Sequence, residues 1–580
     1  MPASRIAGVL RLRTVKIPSL LVAATLLAAS AAAQQDGGAA PAASDVFFDR
    51  LDVEVVNVEV YVTDKDGESV RGLTADDFEV FEDGAPQAIT YFYAVESGAA
   101  VLPAAPPAAP GQAGGESAPR PPAEIRQEPL PEEQVLRLVV YFDNLHLRPT
   151  TRNKVILQVD RFVRRVVGPG DAVMLATFER SLHVRHPFTQ DVDAFLRSLA
   201  EIEKVSGFGM RAATERREVI QRVERSDTAI EAESHIDFYA KSLHFDVSQS
   251  IKGMRELVGS LAGLPGRKAL LYVSDGLPMT AAEDLYHLLD LKFFNDQFSG
   301  RMRASQYDAR RPFRELTAAA NANGVTIYTL EATGLRSHAT LSAEYGSLGD
   351  RSFVEIDATH EFSLEEPLVL MAAETGGLAA LNTNNIDGAL DALARDLDDY
   401  YSLGYAPAHA VQGRYHEIEV RVKGKGLKVR HRQGYRDKVA STRVHEGTLA
   451  SLLYGPQKNP LEIRLAFGKA RLNDDGERLL PLEVHIPLAR VGLVPHEQVY
   501  RGDLRVAVAV LDDDGRMSPV DQKEFPVTIP AADVDTARGK HYVYAVELLM
   551  RPGDHLIAVG VHDDFSGETS FIRQPIRTGT

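Results

Sequence analysis

One run of residues constrains the fold more than any other. Leu138-Val139-Val140-Tyr141-Phe142 is unbroken apolar sequence, closed by Asp143. A strand apolar on both faces needs cover on both, which is the condition of a parallel strand inside an α/β sheet. Helical spacing follows: Val155, Val159, Phe162, Val163 and Val166 share one face until Gly168-Pro169-Gly170 stops it. The alternation then repeats. Strands are predicted at 173–178, 268–274, 325–330 and 378–381, a short hairpin partner at 182–185, and amphipathic helices at 314–323, 366–375 and 387–397. Units of this kind build a doubly wound, open α/β sheet over residues 134–399. Two stretches break the pattern and read as insertions near 205–245 and 280–312: a charged helical segment that projects from or caps the domain, and a segment around Leu291-Lys292-Phe293-Phe294-Asn295.

A chain of 580 residues exceeds one core, so roughly three or four domains are expected. Residues 46–96 alternate in strand fashion, with turns at Asp64-Lys65-Asp66-Gly67 and Glu82-Asp83-Gly84, and form an N-terminal β module. Asp64-x-Asp66 lacks the ligand ladder and closing glutamate of a calcium loop and reads as a turn, as do Asp474-Asp475-Gly476 and Asp513-Asp514-Gly515. Residues 97–133 are a Pro/Ala/Gly-rich linker. Strand alternation returns within 400–437. Residues 46–94 are short for a complete sandwich, so the two segments are expected to pair, with the α/β domain inserted between them. After a polar joint at 439–446, seven candidate strands begin near Leu461, Leu480, Leu504, Glu524, Tyr542, Leu556 and Thr569. Their number and spacing suggest an immunoglobulin-like β-sandwich over 447–580.

Composition is globular, with 44% apolar and 25% charged residues. The absence of cysteine excludes a disulfide framework, a zinc ribbon, a cysteine nucleophile and a lipidated N-terminal cysteine. Residues 1–33 hold Arg5, Arg11, Arg13 and Lys16 but no acid, followed by an apolar run from Ile17 ending Ala31-Ala32-Ala33. This is the pattern of a secretory signal peptide, with residues 34–45 as a tether. The run is short for a spanning helix, and no later segment is long and apolar enough to span, so an exported protein without a stable membrane span is expected, periplasmic or extracellular. Setting those four basic residues aside from a net charge of −17 leaves −21, which argues against nucleic acid as a partner.

Enzyme signatures are missing. His360, His416, His445 and His496 each precede a glutamate, but four residues on stand Leu364, Val420, Leu449 and Tyr500, so the zinc-protease pattern is absent. Neither a Gly-x-Ser-x-Gly elbow nor a phosphate-binding loop occurs. No enzymatic activity is expected. What remains is positional: Asp143 and Asp275-Gly276 both fall where a buried parallel strand ends, the place where open α/β sheets bind ligands. Two carboxylates converging there invite a cation, and oxygen ligands suit Mg²⁺ or Ca²⁺. Alternatively, Asp143 caps the following helix and Asp275 makes a turn with Gly276.

These residues resemble the von Willebrand factor A domain and, more closely, the A-domain-related family of secreted bacterial proteins. The likeness is carried by the strand ending in Asp143, Phe188-Thr189, the run Gly266-Arg267-Lys268-Ala269-Leu270 to Ser274-Asp275-Gly276, and Thr375-Gly376-Gly377. Flanking pieces add Val60 to Asp64, Gly72-Leu73-Thr74, Asp77 to Gly84, Tyr400 to Tyr405 and Gly434-Tyr435. The family's metal-ion-dependent adhesion site uses Asp-x-Ser-x-Ser, a threonine and the aspartate of Asp-Gly. The resemblance implies Asp143 and Asp275 as metal ligands. Leu145 and Leu147 stand where the serines belong, Asn144 offers a substitute oxygen, and Thr214 and Thr228 are weak candidates for the threonine. The expected function is adhesion-type binding of another protein through a degenerate form of that site. A structural envelope scaffold with an inert crevice, or less readily a surface-polymer hydrolase, stands as the alternative.

Overall fold

The computed structural model describes residues 12–13, 55–101, 127–128, 134–293, 298–335, 350–455, 458–472 and 478–578. The proposed signal run at 17–33, most of the linker and the turn at 474–476 lie outside the described residues. The chain is mixed α/β with several sheets, and it divides into a compact unit of residues 54–454 and another built on 455–580.

The first unit is organised by the apolar run. Leu136–Asp143 lies inside a six-stranded sheet of order Leu182–Thr189, Ala172–Phe178, Leu136–Asp143, Arg267–Ser274, Val325–Glu331, Ala379–Ala380, parallel except for its first strand. The period of two sorts its side chains. Leu138, Val140 and Phe142 pack under helices Pro149–Val166, Val192–Glu201 and Ile386–Asp398, while Val139 and Tyr141 face helices Ala229–Ser260, Arg310–Ala322 and Asp350–Thr375. Each fully buried aliphatic side chain contributes about 1.5–3 kcal/mol, so a strand without a polar face is stable only under this double cover. The chain leaves Leu136–Asp143 toward one edge of the sheet and returns to its other side at Arg267–Ser274. The two strand ends therefore flank the point where strand order reverses.

Residues 55–101 and 400–436 interleave. Val56–Thr63 pairs antiparallel with both Tyr400–Tyr405 and Lys428–His431, and Tyr415–Val422 pairs with Phe78–Glu82. Their shared core holds Val58, Val60, Phe78, Leu403 and Val420. The α/β segment is thus an insertion in this β layer. Arg430 ties the two: its NH1 and NH2 bond both oxygens of Asp396 at 2.7 Å, and its guanidinium lies over Tyr61.

Two boundaries differ from the sequence reading. The first inserted segment is a helical pair, Gly209–Arg225 and Ala229–Ser260, whose second member runs past 245 because Val247, Ile251, Met254 and Leu257 continue its apolar face onto the sheet. Its outer half forms a satellite core with Leu285, Tyr286 and Leu288 of the second insertion, so both cap the domain rather than project from it. Residues 439–446 are not a joint. They enter helix Ala440–Tyr454, which belongs to the first unit and buries Val444, Ala450 and Leu452 behind a polar exterior.

In the second unit, antiparallel strands Arg464–Phe467, Arg478–Pro487 and His541–Met550 form one sheet, and Val499–Asp512, Asp521–Pro530, Gly553–Asp563 and Thr569–Thr578 another. Alternate residues of both, including Leu482, Val484, Ile486, Val508 and Val559, fill one core. No described helix is long and apolar enough to cross a membrane.

Candidate functional site

Asp143 ends the central strand with its side chain fully buried. Its Oδ2 accepts from the Tyr272 hydroxyl at 2.6 Å and contacts His146 Nδ1 at 2.9 Å. Its Oδ1 accepts from the Leu145 amide at 3.2 Å and the Ser250 hydroxyl at 3.4 Å. Two strands, the intervening loop and a helix converge on this carboxylate. Burial opposes charge on His146, but the adjacent Asp143 outweighs it and raises the imidazole above its ordinary 6.5. Burial first, and Asp143 second, push the Tyr272 hydroxyl well above its usual range.

Asp275 follows the neighbouring strand and is nearly buried. Its Oδ2 accepts from the Arg148 amide at 3.0 Å, Arg148 Nε at 2.9 Å and the Thr151 hydroxyl at 2.9 Å. Arg148 is the residue before helix Pro149–Val166 and makes no side-chain cap of its own, so Asp275 supplies from another strand the anion that a helix N-terminus favours. Gly276 permits the approach. Its φ is +106°, and a Cβ there would sit 2.9 Å from that of Leu364.

A crevice of about 160 Å³ opens at these strand ends, lined among others by His146, Arg148, Arg216, Tyr239, Asp275 and His360. Arg216 is held in the wall by Asp284 at 2.7 Å and Asp357 at 3.0 Å. Arg148 is the exposed cation, one third open with 33% of its side-chain surface accessible.

These residues do not fit a divalent ion. The oxygens of Asp143 face two hydroxyls, an amide and an imidazole, all inside the protein. Asp275 is neutralised by a guanidinium. Leu145 and Leu147 are buried, one on each side of the sheet, and anchor the loop where the family's serines would offer oxygen. Asn144 accepts from Arg152 NH1 and donates to Glu179. Thr214 donates to the Met210 carbonyl within its own helix, and Thr228 caps the helix that begins at Ala229. Asp143 is thus a structural hub, and the capping role lies with Asp275. Ser250, His146 and Asp143 touch, but not as a catalytic triad: serine and aspartate both meet the same nitrogen, Nδ1, and Ser250 is fully buried.

His146, Arg148, Thr151, Ser250 and Tyr272 were absent from the sequence-based candidates. Their one local signal is a pair of cationic residues, His146 and Arg148, inside the loop where hydroxyls were sought.

No protein-family model matches the chain, and no curated protein matches it. Among solved structures it is similar to an aerotolerance-related membrane protein from Bacteroides fragilis, at 13% identity over 45% of this chain and 98% of that one, with a TM-score of 0.22. The protein BatB from Bacteroides thetaiotaomicron gives 11% identity over 45% and 97%, with a TM-score of 0.20. Three N-terminal domains of the type V pili tip protein Mfa5 from Porphyromonas gingivalis give 9% over 72% and 92%, with a TM-score of 0.24. Likeness at this level carries no functional argument, and function is argued from the chain's own side chains.

Proposed function

We propose that this chain is an exported adhesion-type protein whose A-type α/β domain binds an acidic group of a partner protein at the strand-end crevice, with Arg148 in the place of a metal ion. The observation that carries this reading is the Arg148–Asp275 pair lining the crevice. In the family's adhesion site a divalent ion links the Asp-Gly carboxylate to a carboxylate of the partner. Here a guanidinium holds Asp275 through Nε, and a planar five-donor group can bridge two carboxylates. Mg²⁺ or Ca²⁺ held by Asp143 and Asp275 is the form of this reading that the side-chain contacts favour least. Binding rather than catalysis accords with Asp143, His146 and Ser250 being committed to one another below the surface.

The test compares immobilised wild type with Arg148→Ala and Arg148→Lys for capture of envelope proteins. A specific partner is expected on wild type, bound roughly tenfold or more weakly by Arg148→Ala, a change of about 1.4 kcal/mol. Equal capture by all three would overturn the crevice reading and favour the scaffold with an inert crevice.

A further inference from the structure

A different part of the first unit carries the features of a metal centre. Where the β layer closes on itself, Glu82, His409 and His416 bring three donor atoms within 4.8 Å of one another. Asp437 stands beside them, its Oδ2 3.8 Å from His416 Nε2.

The hydrogen bonds fix which atoms point inward. His416 Nδ1 lies 2.8 Å from the Asp83 carboxylate, which only accepts, so the proton sits on Nδ1. Nε2 is then a bare lone pair, buried and hydrogen-bonded to nothing, in a residue with 8% of its surface exposed. His409 Nδ1 faces the Ala410 carbonyl at 3.2 Å and its Nε2 meets Glu82 Oε1 at 2.8 Å, so both ring nitrogens face acceptors and a neutral ring has a proton for only one of them. Either the ring proton or a cation stands between Nε2 and Glu82. Glu82 is aimed by the Tyr405 and Tyr435 hydroxyls, which both donate to Oε2, at 2.7 and 2.8 Å, and leave Oε1 to the cluster. Asp437 Oδ2, the oxygen near His416 Nε2, also accepts from the Gln412 amide at 2.6 Å, and its Oδ1 is buried and unbonded.

Two imidazole nitrogens and carboxylate oxygens, with a carboxylate behind one histidine, are the donor set and outer support of a borderline divalent ion such as Zn²⁺. We infer that Glu82, His409 and His416, completed by Asp437, form a structural Zn²⁺-type site that fastens the Glu82-Asp83-Gly84 turn to the 409–437 return segment. A tetrahedral ion draws its donors to about 3.4 Å apart, a closure open to His409, the most exposed of the four. The site clasps the two halves of the β layer on either side of the inserted domain. This inference is independent of the crevice.

The purified full chain, stripped with chelator and dialysed, is titrated with Zn²⁺ and separately with Mg²⁺ by calorimetry, with bound metal counted after gel filtration. The expected result is one Zn²⁺ per chain, a raised melting temperature and no Mg²⁺ binding. His409→Ala should weaken Zn²⁺ at least 100-fold and abolish the rise in melting temperature that Zn²⁺ gives the wild type. Asp83→Asn should weaken it 10- to 100-fold through the loss of support behind His416. Absence of stoichiometric Zn²⁺ on wild type would overturn the site and assign the His409–Glu82 contact to a proton. Unchanged affinity in His409→Ala would overturn it equally, by placing the metal elsewhere.

Discussion

Replacement of Asp143 by alanine distinguishes a structural hub from a metal ligand by the sign of its effect on stability. If Asp143 and Asp275 were the bare carboxylates of a vacated cation site, deleting one would relieve repulsion and stabilise the metal-free protein. The structure predicts the opposite. The change takes the carboxylate from the buried Tyr272 hydroxyl at 2.6 Å and from His146 Nδ1 at 2.9 Å, which keeps only its contact with Ser250, and it frees the Leu145 amide. Hydrogen bonds to a charged group are worth about 1.5–3 kcal/mol each, and orphaning buried partners adds their desolvation, so the two short contacts together set a loss of about 3–5 kcal/mol. Asp143→Asn, which keeps the shape and part of the bonding, should lose about 1–2 kcal/mol. Asp275→Ala lies at the rim beside a cation that is one third exposed, and should cost only about 1–2 kcal/mol. The assay is guanidinium unfolding followed by circular dichroism and tyrosine fluorescence, since the chain has no tryptophan. The quantity compared is the midpoint of the transition of the 54–454 unit. A neutral or stabilised Asp143→Ala would refute the hub.

Two other outcomes follow from buried charge. Arg430→Met leaves Asp396 buried without its bidentate partner and should destabilise the first unit by about 3–5 kcal/mol, and the double variant Arg430→Met/Asp396→Leu should recover most of that in the same melts. Asp143 raises His146 above 6.5, so the folded state binds its proton more tightly than the unfolded chain does. The resulting stabilisation is complete below pH 6.5 and is lost as pH climbs through the folded value, so the melting temperature of wild type should fall as pH rises above 6.5. Asp143→Asn should flatten that slope, and an unchanged slope would assign it to another group.

Much of this architecture was written locally. The unbroken run at 138–142 specified a strand covered on both faces, and the 3.6-residue spacing of Val155, Val159, Phe162 and Val166 specified the helix that covers one of them. The seven strand starts in the C-terminal segment were readable because Leu480, Leu482, Val484 and Ile486 alternate strictly with outward residues. Helix Ala440–Tyr454 was missed because its first two turns are mostly polar, with Ser441, Thr442, Arg443, His445 and Glu446, and mask the few small and apolar residues it buries. The chemistry at Asp143 was legible as a position but not as a role. Its partners Tyr272 and Ser250 lie 129 and 107 residues away, and nothing in their local sequence marks them. His409 and His416 gave no signal alone for the same reason: Glu82, which completes the cluster, arrives from the far side of the inserted domain.

Calorimetric titration of the wild-type chain with Mg²⁺ and with Ca²⁺ tests whether Arg148, rather than a metal ion, serves Asp275 at the strand-end crevice. Neither ion should give saturable heat that differs from that of an Asp143→Ala/Asp275→Ala double variant. One equivalent of Mg²⁺ or Ca²⁺ bound by wild type and lost from that variant would contradict it.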